Sequence, residues 1–331
     1  MHRKKFHKRT PPACREGTEM PTIPSMKGDG FYDRNSQVQE QFILSSQDLL
    51  EEAAQAVPLK GPVGLADLGC SEGKNSVMLM RRLVELVRQR TQAPITVTHN
   101  DLPANNWNGF FRNLTPYGAF VQASAASFFQ PIVAPNSLHI ACCYSSVHWL
   151  SQIPELPNPG GVLHARMNPE SRQLMADQAA RDWEAFLRAR AQELVPGGRL
   201  ILVSGGNKDG DVAGLKMYAL LERILQELDH PPFVMPIYYR SRQEVEEPLE
   251  RCGFQLEHFS IRHLTTPFAE QLKQDGDRQT YARATTGFVR AWMEPLLPDS
   301  RIYQRMEEEM AADPEGTEVA NVQIVAAFSK K

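Results

Sequence analysis

An apolar run that ends in an acid and breaks into a small-residue turn, Leu65 to Asn75 (LADLGCSEGKN), constrains this chain more than any other stretch. Val63, Leu65, Ala66 and Leu68 suit a buried strand, while Gly69 and Gly73 supply a tight turn and the close backbone approach that a ligand needs. From Ser76 to Gln89, Val77, Leu79, Met80, Leu83, Val84, Leu86 and Val87 recur at helical spacing. A strand, a turn and a helix in that order predict a parallel α/β sheet. Its ligand lies in the crevice outside the strands' carboxyl ends, where Asp67, Gly69 and Cys70 fall.

Three nucleotide-type readings compete for the turn. A phosphate-binding P-loop needs four residues between its glycines and a Ser or Thr after the Lys. Here three residues separate Gly69 from Gly73, and Asn75 follows Lys74. A dinucleotide fold needs G-x-G-x-x-G so that the backbone can touch pyrophosphate, and Cys70-Ser71 breaks that pattern. What remains is D-x-G-x-x-x-G, which resembles the first motif of class I S-adenosylmethionine methyltransferases.

Strands and helices alternate along the rest of the chain. Ile95 to His99 reads as a second strand, Gly118 to Gln122 as a third and Leu138 to Cys142 as a fourth. Ser171 to Leu194 is a long amphipathic helix that stops at Pro196-Gly197-Gly198, and Arg199 to Ser204 follows as a buried strand. Ser241 to Cys252 reads as a helix capped at Gly253, Phe254 to Leu264 as a strand, and Val319 to Phe328 as the strand that closes the sheet. This order predicts an α/β doubly wound core. Residues 205–240 and 265–316 break the alternation with helices rich in Met, Phe, Tyr and Trp, and are expected to form one helical cap at the ligand end. The competing arrangement places them as extra core helices on the sheet faces.

Composition narrows the class further. A chain of 331 residues with 42% apolar and 23% charged residues can bury a sizeable core. No apolar run approaches the roughly 18 residues that span a bilayer, and a net charge of −3 argues against a nucleic-acid partner. The first ten residues hold five of the 36 basic side chains, with Pro11 and Pro12 next and no apolar stretch. That pattern excludes a secretory signal and predicts a disordered basic tail or an over-long start over residues 1–22, with an organelle presequence as the lesser alternative, and a single domain over 23–331. Five cysteines (Cys14, Cys70, Cys142, Cys143, Cys252) show neither disulfide nor zinc spacing, which points to a reducing, cytoplasmic compartment and no metal.

Two later motifs carry chemistry. In THNDLPANNWNGFF (Thr98 to Phe111), Asp101 stands at the carboxyl end of the second strand, where two carboxylate oxygens can accept both hydroxyls of a ribose. The plainer reading is an Asp capping a helix that starts at Pro103-Ala104. In CYSSVHWLSQIP (Cys143 to Pro154), Trp149 offers one indole N–H on a broad apolar plate, and His148 beside it is a donor or a base. Each alone reads equally as a packing residue.

Taken together, MKGDGFYDRNSQVQ (Met26 to Gln39), ADLGCSEGKN, HNDLPANNWN, ASFF (Ala126 to Phe129) and SSVHWLSQIP resemble the salicylate, jasmonate and caffeine-synthase type methyltransferases, the SABATH family. The resemblance runs from about Ile23 through FLRARAQELVPGGRLIL and AWMEPLL to the closing NVQIVAAFSKK. It implies a Rossmann-like class I core, S-adenosyl-L-methionine as cofactor, a small carboxylic acid as substrate and a tendency to form homodimers. It also implies roles residue by residue. Tyr32 and Ser36 lie near the methionine portion of the cofactor, with Asp67, Cys70 and Asn75 from the first glycine motif. Asp101-Leu102 hold ribose and adenine, and Ser127-Phe128 flank the adenine. Gln39 and Trp149 bind the substrate carboxylate, with His148 and Lys27 on the substrate side. The chain departs from the plant pattern at Phe31 and Asp33, and it has Ser145 where plant members often carry Tyr, with Tyr144 one place earlier.

The implied reaction is methyl transfer from a sulfonium to a carboxylate, with Gln39 and Trp149 as positioners and no residue acting as acid or base. Two rivals stand beside it: N-methylation of a heterocycle, as in the caffeine branch, and a non-catalytic binding protein that keeps the fold. The aromatic residues Phe268, Tyr281, Phe288, Trp292 and Met293 suggest an apolar or aromatic acid pocket, although residues at helical spacing more often serve the core.

Overall fold

Seven strands hydrogen-bond into one sheet in the computed structural model, which describes residues 25–319 and 321–331. The basic stretch 1–22 and Cys14 lie outside the described residues. The strands are β1 (Val63–Leu68), β2 (Ile95–Asp101), β3 (Phe120–Ala125), β4 (Leu138–Tyr144), β5 (Leu194–Gly205), β8 (Phe254–Leu264) and β9 (Asn321–Lys330). A small hairpin of β6 (Asn207–Lys208) and β7 (Asp211–Val212) stands apart. The order is β3-β2-β1-β4-β5-β9-β8. The first five strands run parallel, and β9 enters antiparallel between β5 and β8.

Order reverses between β1 and β4, so the crevice beyond their carboxyl ends is the place where a doubly wound sheet takes its ligand. Both strands are buried almost throughout, because helices cover both faces. Side chains alternate between two cores: Leu65 joins the helices α2 (Gln37–Leu44), α3 (Gln47–Ala56) and α4 (Lys74–Arg88). Ala66 and Leu68 join Trp183, Phe186 and Leu187 of α6 (Pro169–Glu193). A single-turn helix α1 (Phe31–Arg34) precedes α2, and α5 (Trp107–Asn113) follows β2.

Residues 205–240 contribute α7 (Leu215–Glu227), and residues 265–316 contribute α9 (Pro267–Asp275), α10 (Arg278–Met293) and α11 (Ser300–Ala312). α11 packs on both α7 and α10, so the two separate pieces of chain meet.

Three elements differ from the sequence reading. The helix expected over Ser241 to Cys252 is regular only as α8 (Arg242–Glu246), opened by a capping box of Ser241 and Glu244. Pro248 lacks the N–H that would continue the helical ladder, and turns lead from there to Gly253. The strand expected from Arg199 begins at Leu194. Its pairing jumps from Leu138–Leu194 to Ile140–Arg199, so Pro196-Gly197-Gly198 forms an irregularity within a strand and not a loop before one. No helix starts at Pro103-Ala104. α5 begins at Trp107, and its cap is Asn106, whose side chain accepts from the Gly109 N–H.

Candidate active site

The glycine turn after β1 is shaped by what approaches it. Gly69 has φ 97°, and a Cβ there would stand 2.0 Å from Ser146 Oγ, so only glycine lets the loop after β4 close over the turn. Ser71 is also left-handed, at φ 48°, a strained state for a side-chain-bearing residue. That twist aims its N–H at Asp101 Oδ2 (2.7 Å), while the Leu102 N–H donates to Oδ1 (2.7 Å). The Asp101 carboxylate is thus fixed by two backbone donors, and each oxygen keeps lone-pair capacity for one further hydroxyl. Burial raises its pKa, and the two N–H groups oppose that rise.

Asp101 and Leu102 face a cavity of about 320 Å³ with Gly69, Ser71, Ser127 and Phe128. The Ser127-Phe128 wall is held from behind by a fully buried ion pair. Arg190 Nε donates to Glu193 Oε2 at 2.6 Å, and Arg190 Nη1 donates to the Phe128 carbonyl at 2.8 Å. Glu193 Oε1 accepts from the N–H groups of Ile132 and Val133.

At the other end of the turn, Tyr32, Asp67, Cys70 and Asn75 line a smaller recess. Asp67 is buried and accepts from Ser76 Oγ; loss of water pushes its pKa up to about 7. Asn75 Nδ2 donates to the Ser36 carbonyl at 3.1 Å, and its Oδ1 is buried without a partner among the described residues. Ser71 Oγ is likewise buried and unpartnered among the described residues. Such orphaned polar atoms, grouped in one crevice, fit a ligand as polar as the methionine end of S-adenosylmethionine.

A second, narrower cavity of about 80 Å³ adjoins the first, and Met26, Tyr32, Ser145 and Trp149 line both. Its polar lining includes Gln39 and His148; the rest is largely apolar, with Phe42, Met217, Ile237, Phe288 and Trp292, and no acidic, lysine or arginine side chain among the described residues lines it. Trp149 is fixed through its backbone, which bridges to Ile237, with the Leu150 N–H on the Pro236 carbonyl and the Tyr238 N–H on the His148 carbonyl. His148 Nδ1 lies 3.0 Å from Ser204 Oγ. Burial first, then the Arg240 charge, holds its pKa down at about 3, so the ring is neutral. Ser145, at φ 55° with its Oγ unpartnered, faces both cavities, whereas the Tyr144 hydroxyl turns away to Ser46 Oγ at 3.0 Å.

Two of the residues named from sequence stand outside the lining. The Lys27 ammonium, read as substrate-side, pairs instead with Glu294 and sits 4.3 Å over the Phe31 ring. An ammonium held by the carboxylate of Glu294, the residue that caps the carboxyl end of α10, ties the leading segment to the inserted helices and does not reach the cavity. Ser36 is buried and hydrogen-bonds to the Asp33 carbonyl, so it reaches the recess only through the carbonyl that Asn75 grips.

Several supporting residues escaped the sequence reading. Glu72, inside the glycine turn, accepts from the Gly30 N–H (2.9 Å) and Asn106 Nδ2 (2.6 Å), joining the leading segment to the turn and α5. Arg240 donates to the Val147 carbonyl at 2.9 Å. Asp182 takes the N–H and hydroxyl of Ser151, so the loop carrying Trp149 is clamped on both sides. Glu72 lay in a motif already singled out; Arg240 and Asp182 are joined to the loop only by folding.

Comparisons with known proteins agree with this geometry. The family described as SAM dependent carboxyl methyltransferase matches residues 21–331. The salicylate carboxymethyltransferase of Clarkia breweri is 30% identical, over 82% of this chain and 86% of that protein. The jasmonate O-methyltransferase of Arabidopsis thaliana is 26% identical, over 82% and 86%. A solved loganic acid methyltransferase with SAH superposes with a TM-score of 0.79 at 25% identity, covering 93% of this chain and 99% of that one. No helix among the described residues is long and apolar enough to cross a membrane. The chain belongs to the SABATH family of S-adenosylmethionine-dependent carboxyl methyltransferases.

Proposed function

We propose that this chain methylates the carboxylate of a small acid whose body is apolar or aromatic and carries no second charge. The observation that carries the reading is the junction of the two cavities. A larger one is bounded by Asp101 and Phe128, a narrower one holds Gln39, His148 and Trp149, and Met26, Tyr32, Ser145 and Trp149 are common to both. A narrow pocket with no acidic, lysine or arginine side chain among the described residues of its lining offers none of them as partner for a second carboxylate and favours apolar surface.

Bound in the larger cavity, S-adenosylmethionine supplies an electrophilic methyl group on a sulfonium. Asp101 takes the ribose hydroxyls, Ser127 and Phe128 flank the base, and Tyr32, Asp67, Cys70 and Asn75 surround the methionine end. The substrate acid has a pKa near 4 and is ionised at neutral pH, so no side chain needs to remove a proton. Gln39 and Trp149 each present an N–H donor to the carboxylate and align one lone pair with the methyl group, a contribution of orientation. Apolar walls exclude water from a step in which opposite charges neutralise each other. The helices of 205–240 and 265–316 act as the cap that completes these walls. The buried, unbridged cysteines Cys70, Cys142, Cys143 and Cys252 support a reducing, cytoplasmic setting, and a homodimer is the assembly the family resemblance implies.

Replacing Gln39 tests the assignment. Gln39→Ala should raise KM for the acid by about 10-fold to 100-fold, the loss of one hydrogen bond of roughly 1.5–3 kcal/mol to a charged group. Binding of S-adenosylhomocysteine, measured by calorimetry, should stay within about a factor of two of the parent. An equal loss of both would make Gln39 a cofactor or folding residue.

A further inference from the structure

Behind the glycine turn, three side chains lead in a row from Asp67 to Tyr117. Asp67 Oδ2 contacts Ser76 Oγ, Ser76 Oγ lies 2.6 Å from His99 Nδ1, and His99 Nε2 lies 2.6 Å from the Tyr117 hydroxyl. His99 is fully buried, and Tyr117 retains 8% of its surface, with the Arg81 guanidinium 5.8 Å from its ring. Every member both donates and accepts a hydrogen bond, and the imidazole changes tautomer as the chain reverses direction.

We propose that Ser76, His99 and Tyr117 form a proton relay through which Asp67 changes charge as the cofactor binds, while the turn above it stays closed. This rests on the cofactor assignment made above. The cofactor's ammonium favours a carboxylate at Asp67. The Asp67 proton passes to Ser76 Oγ, the Ser76 proton to His99 Nδ1, the His99 Nε2 proton to the Tyr117 oxygen, and the Tyr117 proton to solvent. One proton leaves, and the three relay residues end neutral, as they began.

The surroundings suit that task. Asp67 faces Asp101 and His99 from β2, Cys142, Cys143 and Tyr144 from β4, Ser76 from α4, Tyr32 from α1 and Cys70 in the turn. The one charged group among these is another acid, and it favours the protonated form until a cation arrives. Asp67 is held near 7 and His99 at about 4 by burial, so near pH 6.5 the acid carries the mobile proton and the imidazole is neutral.

The test is stopped-flow mixing with S-adenosylhomocysteine, which keeps the ammonium, at pH 6.5 in weak buffer, following tryptophan fluorescence for binding and an indicator dye for protons. The parent protein should release protons as fast as it binds. Tyr117→Phe and Ser76→Ala should still bind but release protons at least tenfold more slowly, and Ser76→Thr should restore the fast phase. Circular dichroism and the binding phase show that the variants are folded; Tyr117→Phe removes only one hydroxyl. Release that keeps pace with binding in both variants, or binding by the parent with no proton release, overturns the relay. Failure of the parent to bind at all would instead overturn the cofactor assignment, and the relay with it.

Discussion

Asp101→Ala is expected to raise the dissociation constant for S-adenosylhomocysteine about 100-fold to 1,000-fold, since two charge-assisted hydrogen bonds worth together about 3–4 kcal/mol are removed. The loss is large because the carboxylate is already set in place. The N–H groups of Ser71 and Leu102, each at 2.7 Å, fix its plane before any ribose arrives. Asp101→Asn keeps the shape but turns an accepting oxygen into a donor facing one of those N–H groups, so it should weaken binding nearly as much. Calorimetric titration checks both variants. A change of less than about threefold for Asp101→Ala would remove Asp101 from the ribose site.

The second large effect is on stability. Arg190 and Glu193 have no exposed side-chain surface, and their ion pair holds the Phe128 carbonyl and the N–H groups of Ile132 and Val133. Arg190→Ala leaves the Glu193 carboxylate buried without its partner, which costs roughly 3–5 kcal/mol. For a chain of this length that is a fall in Tm of about 4–7 °C, taking an unfolding entropy of about 2.1 cal/mol/K per residue. Replacing both partners with apolar residues, Arg190→Met with Glu193→Leu, should recover part of the loss, because no lone charge remains. Differential scanning calorimetry reads both outcomes. A melting temperature unchanged in Arg190→Ala would mean that the pair does not brace the Phe128 wall.

The amino-acid order carried the fold where one residue type answered one physical demand. The apolar run Val63 to Leu68, the turn glycines and the helical repeat from Val77 each predicted an element that is present. The antiparallel entry of β9 was not legible, since a closing apolar strand reads alike in either direction. The helix after Ser241 was overextended because its pattern continued past Pro248, where backbone chemistry prevails over periodicity.

The site divides in the same way. Gln39, Asp101, Phe128, His148 and Trp149 were named from motifs, and all five line one of the two cavities. Lys27 was named from a motif too, but Glu294, 267 residues away, holds its ammonium. The link from Asp67 to His99 and Tyr117 is not legible in the sequence: His99 lies in a quoted motif, but the parallel pairing of β1 and β2 sets it beside Asp67, and only the fold brings Tyr117 to its Nε2. The clamp of Arg240 and Asp182 behind Trp149 has the same long-range origin.

The most direct measurement is incubation of the protein with methyl-labelled S-adenosylmethionine and a panel of aromatic and aliphatic monocarboxylic acids, reading products by mass before and after mild alkali. The expected result is a labelled methyl ester of an acid with a single charge, whose label alkali releases as methanol. A labelled product that withstands alkali, with the methyl group on nitrogen, would contradict carboxylate methylation.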